Sequence, residues 1–536
     1  MSKGNVIAYA SLGSILVLTL LLRLYGIDWG MPTALEPNYS YHPDEAILLR
    51  WAQWLAQGRI AVKEFVYGGT FYLVILRACI YFGNIFRESI GGFNELANAI
   101  LVARHMQVFL ALLTALLIYE CGRLFYGRRT GLVATLILSL SPAHIIATQT
   151  VRPDVISAFL VTLTVFMVAR LLKSAPSEQK KLFMYSGIVI GVMTAFRLPL
   201  IGFGLLPVMA YVIARQRSNS DSLRRLTLGR ETLWFVIIIG FTYAVLSPHT
   251  LMYPGYFIEG LKMTMKYEST EFPDAVDRGP IFFQYGWRLL HEALGYPGYF
   301  LVLGGTVYAL VRRRDEDKIL LAGIGLYFIM LASVTWTVVR YTLPMLPLLA
   351  LLGGVVAIAI FEQARHAYAR GVFFAMTGFI LVWTLVADVA LLHVVASKNV
   401  RELSSEWITR NIPRDKSILF IKGYVEDDFF NPAIPPYHSV SAALLTKGSY
   451  SGGLFAKKTY DYVVLNELLY ADMERLGNRH PRKEVREFYE NMKNAKLKLV
   501  SEIKVPVQFL GLDFSGWFRS MDYSVINPGI RIYQMP

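Results

Sequence analysis

The sequence predicts a polytopic α-helical membrane protein that ends in a small α/β domain, and three observations carry that prediction. Long apolar runs such as "VIAYASLGSILVLTLLL" and "GVFFAMTGFILVWTLVADVALL" approach the roughly 20 residues a helix needs to cross a bilayer. Mean hydropathy is +0.43, with 54% hydrophobic and only 17% charged residues in a chain of 536, a balance outside that of soluble domains. After about Ser397 the composition shifts to short β-like runs alternating with polar, helix-like segments. The membrane runs are uniformly apolar and lack the alternation of a barrel strand, so they read as helices.

Runs able to span lie near residues 5–24, 100–120, 131–149, 155–173, 182–197, 199–214, 232–248, 293–311, 319–338, 342–361 and 371–396. The first has no small-residue cleavage site after it and reads as a retained span. A shorter run, "FYLVILRACIYFGNIF" at 71–86, carries Arg77 in its middle. The loops orient the series. "CGRLFYGRRT", "KSAPSEQKK", "RQRSNSDSLRRLTLGR", "RRRDEDK" and "EQARHAYAR" are basic and fall at every second turn, which places them in the cytoplasm. That alternation holds if 71–86 lies at the interface, giving eleven spans, a cytoplasmic N-terminus, and an outer first loop over 25–99. The membrane domain is then 1–396 and the outer α/β domain 397–536, with strands expected in "SILFIKG", "YDYVVLNE", "LKLVSEIKVPVQFL" and "IRIYQM" and a helix in "RKEVREFYENMKNAK".

The same distribution disposes of a nucleic-acid reading for the net charge of +14, because much of the basic excess sits in short loops between spans. The two cysteines, Cys79 and Cys121, fall on opposite sides of the membrane and are too few for a disulfide framework or a thiolate metal site.

With this orientation the polar residues at span ends gather on the outer side. Asp44 and Glu45 lie in "YHPDEA" of the first loop, Arg152 and Asp154 in "QTVRPDVI", Arg197 in "TAFRLPL", His249 in "LSPHTLMYP", and Arg340 and Tyr341 in "VVRYTLPMLP". Each has a plain alternative. Asp44 and Asp154 suit the first turn of a helix, the arginines can snorkel to headgroups, and His249 can be a hydrogen-bonded polar residue. "HPDE" lacks the spacing of a zinc-peptidase helix. Convergence is what favours chemistry. A carboxylate can take a proton from an acceptor hydroxyl or amine, and arginines can hold a phosphate while charge builds on it. A phosphate at a membrane face, above an apolar cradle, points to a lipid phosphate.

"YHPDEA", "RPDV", "RYTLPMLPLLALLGG" and "WITRNIP" resemble the polyprenyl-phosphate-sugar-dependent glycosyltransferases of the GT-C class, a group that includes protein O-mannosyltransferases and aminoarabinose transferases. The resemblance implies an inverting displacement at the outer membrane face, from a polyprenyl-phosphate sugar to a protein, lipid or glycan acceptor. It implies Asp44 as catalytic base with Glu45 beside it, Asp154 as a second acidic position, and Arg152, Arg197, Arg340 and Tyr341 at the carrier phosphate. The one cofactor it admits is a divalent metal ion, with His249 and Asp154 joining a carboxylate of the acidic loop. Where many relatives carry a charged residue and a Pro-Pro-Leu-Tyr-like stretch, this chain reads "EFVYGGTFYL", with glycines for prolines and with Lys63 and Glu64 displaced upstream. A lipid or glycan transporter is the competing reading. It would place charges nearer the bilayer midplane and show repeated halves, and no repeat is visible here.

Overall fold

The computed structural model describes residues 3–33, 38, 40–61, 65, 67–92, 94–218, 229–269, 280–332, 337–364, 366–423, 439–444 and 460–536. Lys63 and Glu64 lie outside the described residues. Helices dominate the first 396 residues. Seven described helices are long and apolar enough to cross a membrane, beginning with Val6–Leu24 and Glu95–Phe125 and ending with Arg370–Ala396. An eighth is counted if Arg128–Ser139 and Pro142–Thr148, bent by 62° at their junction, form one span. The break falls at Ser141-Pro142, where proline starts the second helix and the Ser141 hydroxyl accepts from the His144 amide.

The runs expected at 182–197, 232–248 and 319–338 are helical at Pro176–Phe196, Arg230–Leu246 and Asp315–Ala332. Their ends are charged or their length marginal, as with the four charged residues that open "DEDKILLAG". Phe71–Ile85 forms a helix of 15 residues, about 22 Å long and too short to cross by itself. Cys79 and Cys121 are both free and buried.

One end of the helix bundle collects the basic loops. Arg312 and Tyr126 both bond Asp317, Lys173 pairs with Glu316, and Arg217 with Asp315. The helix Asp154–Lys173 runs from that end to the opposite one, a distance of about 30 Å. At the opposite end sit the first loop and the C-terminal part.

The first loop is fastened by a buried ion pair. Arg104, inside the apolar helix Glu95–Phe125, bonds Glu45 through two nitrogens at 3.0 and 2.8 Å, and neither side chain is exposed. The remaining guanidinium nitrogen donates to the carbonyls of Ile27 and Trp29 at 2.6 and 2.8 Å. The amide of Val151 donates to Glu45 at 2.8 Å, which ties the loop to the turn before Asp154. The glycines of "YGG" have a steric cause. Gly68 has φ +76°, and a Cβ there would lie 2.4 Å from the Leu198 side chain; one on Gly69 would lie 2.4 Å from the Ala195 carbonyl oxygen. Only glycine lets this loop pack onto the turn that carries Arg197.

Beyond Ala396 a five-stranded sheet has the order β2-β1-β3-β7-β4. Its strands are β1 (Ser417–Gly423), β2 (Ser439–Leu444), β3 (Tyr462–Asn466), β4 (Lys498–Ile503) and β7 (Ile530–Gln534). β1 pairs parallel with β2 and β3, while β7 runs antiparallel to β3 and β4. A two-residue pair, β5 (Gln508–Phe509) and β6 (Leu512–Asp513), forms a separate hairpin. Alternation along β1 sends Leu419 and Ile421 to one face, with Leu469, Met473 and Phe488 of the covering helices. Ile418 and Phe420 face Val400 and Ile408 of the helix Val400–Asn411 on the other side. β2 was not expected from "SVSAAL", whose small and polar residues carry no strand signal.

Breaking the Glu45–Arg104 pair strands a buried charge, so Glu45→Gln is expected to cost about 3–5 kcal/mol. Thermal unfolding in detergent micelles checks this, and the double variant Glu45→Leu/Arg104→Met should be less damaging than Glu45→Gln alone.

Candidate active site

Five separate chain segments deliver charged side chains to one small volume, and prolines set three of them. Pro43 opens the helix Pro43–Ala56 and leaves Asp44 in its first turn, capped by His42, whose Nδ1 accepts from the Asp44 amide at 3.2 Å. Pro153 holds Arg152 out of helical geometry and starts the helix at Asp154. The helix Pro176–Phe196 gives way at Arg197, extended at φ −155°, ψ 106°, to the 3₁₀ turn Leu198–Gly204, which Pro199 opens. Arg340 lies in the 3₁₀ turn Val339–Met345, which leads into the helix Leu346–Gln363.

The charges form a chain. Arg152 is shared between two carboxylates: one terminal nitrogen pairs with Asp44, and Nε donates to Asp154 at 3.0 Å. The other oxygen of Asp154 accepts from Arg197 at 2.9 Å. Asp154 is sealed, with a side chain 2% exposed, whereas that of Asp44 is 36% exposed. The Tyr341 ring lies under both Arg197 and Arg340, with guanidinium carbons 4.7 and 5.5 Å from its centroid. Burial draws the Arg152 guanidinium down to about 10, with Arg340 adding to the fall and Asp154 opposing it, so it stays charged at neutral pH.

Arg152, Asp154, Arg340 and His42 line a cavity of about 30 Å³ with Thr150, Asp522 and Tyr523. Asp522 was not expected. It comes from the C-terminal helix Met521–Ile526 and accepts from the Arg340 amide at 3.0 Å and from the Arg340 guanidinium. Neither its local sequence nor its neighbours signal this contact, which joins residues 182 apart. Arg104 was a missed signal of a different kind, since a charge inside the 100–120 run marks a buried partner.

Two expected residues stand elsewhere. Glu45, expected beside Asp44 in catalysis, points into the Arg104 pair with no exposed surface, because successive residues of a helix do not share a face. His249 is not joined to the carboxylates. Its Nδ1 lies 3.0 Å from the Thr70 hydroxyl, and burial lowers its pKa. Among the described residues no three His, Cys, Asp or Glu side chains are grouped to hold a metal ion. Asp44 and Asp154 are each paired with arginines.

A larger cavity, about 490 Å³, opens between the helices Pro43–Ala56, Phe71–Ile85 and Glu95–Phe125, and Asn38, Arg50, Gln53 and Glu95 line it.

Residues 89–251 match the family model described as dolichyl-phosphate-mannose-protein mannosyltransferase. That stretch includes Arg104, Arg152, Asp154 and Arg197. Among curated proteins no sequence matches. The solved structure of the archaeal oligosaccharyltransferase AglB from Archaeoglobus fulgidus, with an inhibitory peptide and a dolichol-phosphate, aligns at TM-score 0.54 and 12% identity, over 88% of this chain and 71% of that one. The chain shares the fold of that structure, and its residues 89–251 resemble that mannosyltransferase family. Two further structures are similar at lower scores. AglB from the same organism with Zn and sulfate aligns at 0.49, 11% identity and 85% and 67% coverage. ArnT from Cupriavidus metallidurans bound to undecaprenyl phosphate aligns at 0.48, 13% identity and 99% and 98% coverage. The fold assignment rests on the first of the three.

Burial, with Arg152 and Arg340 next in effect, holds the His42 imidazole neutral, well below its usual pKa of 6.5. The unfolded chain therefore binds a proton that the native one refuses, and the stability this cap contributes is lost as pH falls below about 6.5. Hydrogen exchange of residues 44–47, corrected for intrinsic rates, is expected to quicken between about pH 7 and 5. His42→Asn, which keeps a cap without titrating there, should flatten the dependence.

Proposed function

We propose that this chain is a membrane glycosyltransferase that moves a sugar from a polyprenyl-phosphate donor to an acceptor by one inverting displacement, with Asp44 as general base. The observation that carries the reading is the Asp44–Arg152–Asp154–Arg197 chain beside Arg340, at one end of the bundle. Asp44 is the site carboxylate with free surface, so it can meet an acceptor hydroxyl or amine. The acceptor loses its proton to Asp44 and bonds the anomeric carbon, while the bond from that carbon to the phosphate oxygen breaks and its electrons pass to the phosphate. Arg340 and Arg152, fixed before the reaction, stabilise the charge that develops there. Arg197 and Asp154 act at one remove by positioning Arg152, and Glu45 by anchoring the loop. The dolichol-phosphate in the AglB structure supports a lipid-phosphate donor.

The gathering of the basic loops at the other end supports a cytoplasmic location for them, and hence an extracytoplasmic site and C-terminal part. The transporter reading loses ground because the charges of the site cluster at one end of the bundle. The acceptor would be a protein, lipid or glycan, and the 490 Å³ cavity beside the first loop offers room for part of it.

The test is sugar transfer from a panel of radiolabelled polyprenyl-phosphate sugars in membranes. Losing a general base costs about 10²–10⁴-fold in rate, so Asp44→Asn should lose that much at unchanged expression. Transfer by Asp44→Asn equal to wild type would remove Asp44 from the role.

A further inference from the structure

We propose that Asp522 occupies the place of the donor's phosphate and that donor binding exchanges one anion for the other. This rests on the reading of Arg340 as a phosphate ligand. Asp522 presents two carboxylate oxygens to Arg340, one to the backbone N–H at 3.0 Å and one to the guanidinium. A backbone amide and a guanidinium aimed at two oxygens of one anion are the donors a phosphate would use. The pair is largely withdrawn from water, with side chains 11% and 13% exposed.

The charge count leads to the same place. Arg152, Arg197 and Arg340 bring three positive charges, and Asp44, Asp154 and Asp522 three negative ones. A lipid phosphate entering this cluster leaves it with an excess of negative charge unless one carboxylate withdraws. Asp154 is held by two arginines and has no outlet. Asp44 is the base. Asp522 is carried by a six-residue helix of the C-terminal part.

That helix is latched from two sides. The Ser520 amide donates to Glu292 at 2.8 Å and the Tyr523 hydroxyl to the Glu292 carbonyl at 2.9 Å, both groups of the helical turn that precedes the kink at Gly295 and the membrane helix ending at Arg312. Towards the C-terminal part, Asn399 and Arg401 donate to the carbonyls of Ile526 and Val525 at 2.8 and 2.9 Å. The helix thus links the phosphate position to the Val400–Asn411 helix that packs on the sheet. Tyr41 of the first loop bonds Glu402 of the same helix at 3.0 Å, so the loop carrying Asp44 shares that support. Occupancy by donor is thereby coupled to the docking of the C-terminal part over the site.

The test is binding of polyprenyl phosphate to the purified full chain, in wild type, Asp522→Asn and Arg340→Ala. If the position is open in about one molecule in ten, removing the competing carboxylate tightens binding about tenfold. Asp522→Asn should bind polyprenyl phosphate about that much more tightly and neutral polyprenol no better than wild type does. Unchanged or weaker binding overturns the proposal. So does an equal gain for polyprenol, or equal filling by inorganic phosphate, which would mark a general anion site. A variant-free readout is hydrogen exchange of residues 521–526 in wild type. It should quicken when polyprenyl phosphate is added, and slowing or no change overturns the exchange. Arg340→Ala separates the two levels. Normal lipid-phosphate binding by Arg340→Ala removes the underlying reading and this proposal together. Weak binding there, with no gain in Asp522→Asn, removes this proposal alone.

Discussion

One guanidinium shared between two carboxylates holds the site together. Arg152 joins Asp44 of the first loop to Asp154 at the head of a membrane helix, and Asp154 in turn fixes Arg197. In a poorly solvated site, removing one of these charges leaves its neighbour uncompensated, at a cost well above that of a surface pair. The segments that carry them must therefore begin and end where they do. Pro43 and Pro153 start the helices that carry Asp44 and Asp154, Pro199 opens the turn after Arg197, and Gly68 and Gly69 supply the close approach that brings the loop against Arg197.

Two pairs of charges divide the labour in the first loop. Glu45 and Arg104 satisfy each other wholly inside the protein, with backbone groups using the remaining bonding capacity. Asp44, one residue earlier, points to a different side of the same helix and keeps a third of its surface. The adjacency that makes "HPDE" conspicuous thus serves anchoring by one carboxylate and exposure of the other. An oxygen-rich pair free to bind a metal ion together would need both on one face.

The sequence made the helical membrane region, the late strands and most of the charged cluster legible, because apolar run length and residues beside proline leave local marks. Asp44, Arg152, Asp154, Arg197 and Arg340 do converge, with Tyr341 beneath two of the arginines. Glu45 was expected beside Asp44, but neighbours on a helix diverge by about 100°, which turns it to Arg104 instead. His249 shared only a position at a helix end with the others, and its partner Thr70 is 179 residues away. Asp522 was beyond sequence reasoning. Its meaning lies entirely in a contact with Arg340, and "RSMDYSV" reads as any exposed turn until the chain folds back.

Catalysis as proposed requires these arginines to hold a lipid phosphate within reach of Asp44. A structure determined with polyprenyl phosphate bound, in a lipid nanodisc, tests it most directly. The expected result is phosphate oxygens within hydrogen-bonding distance of the Arg340 guanidinium and amide, the anomeric position within reach of Asp44, and Asp522 displaced. A phosphate seated away from Arg152 and Arg340, for example against Arg50 in the larger cavity, would contradict it.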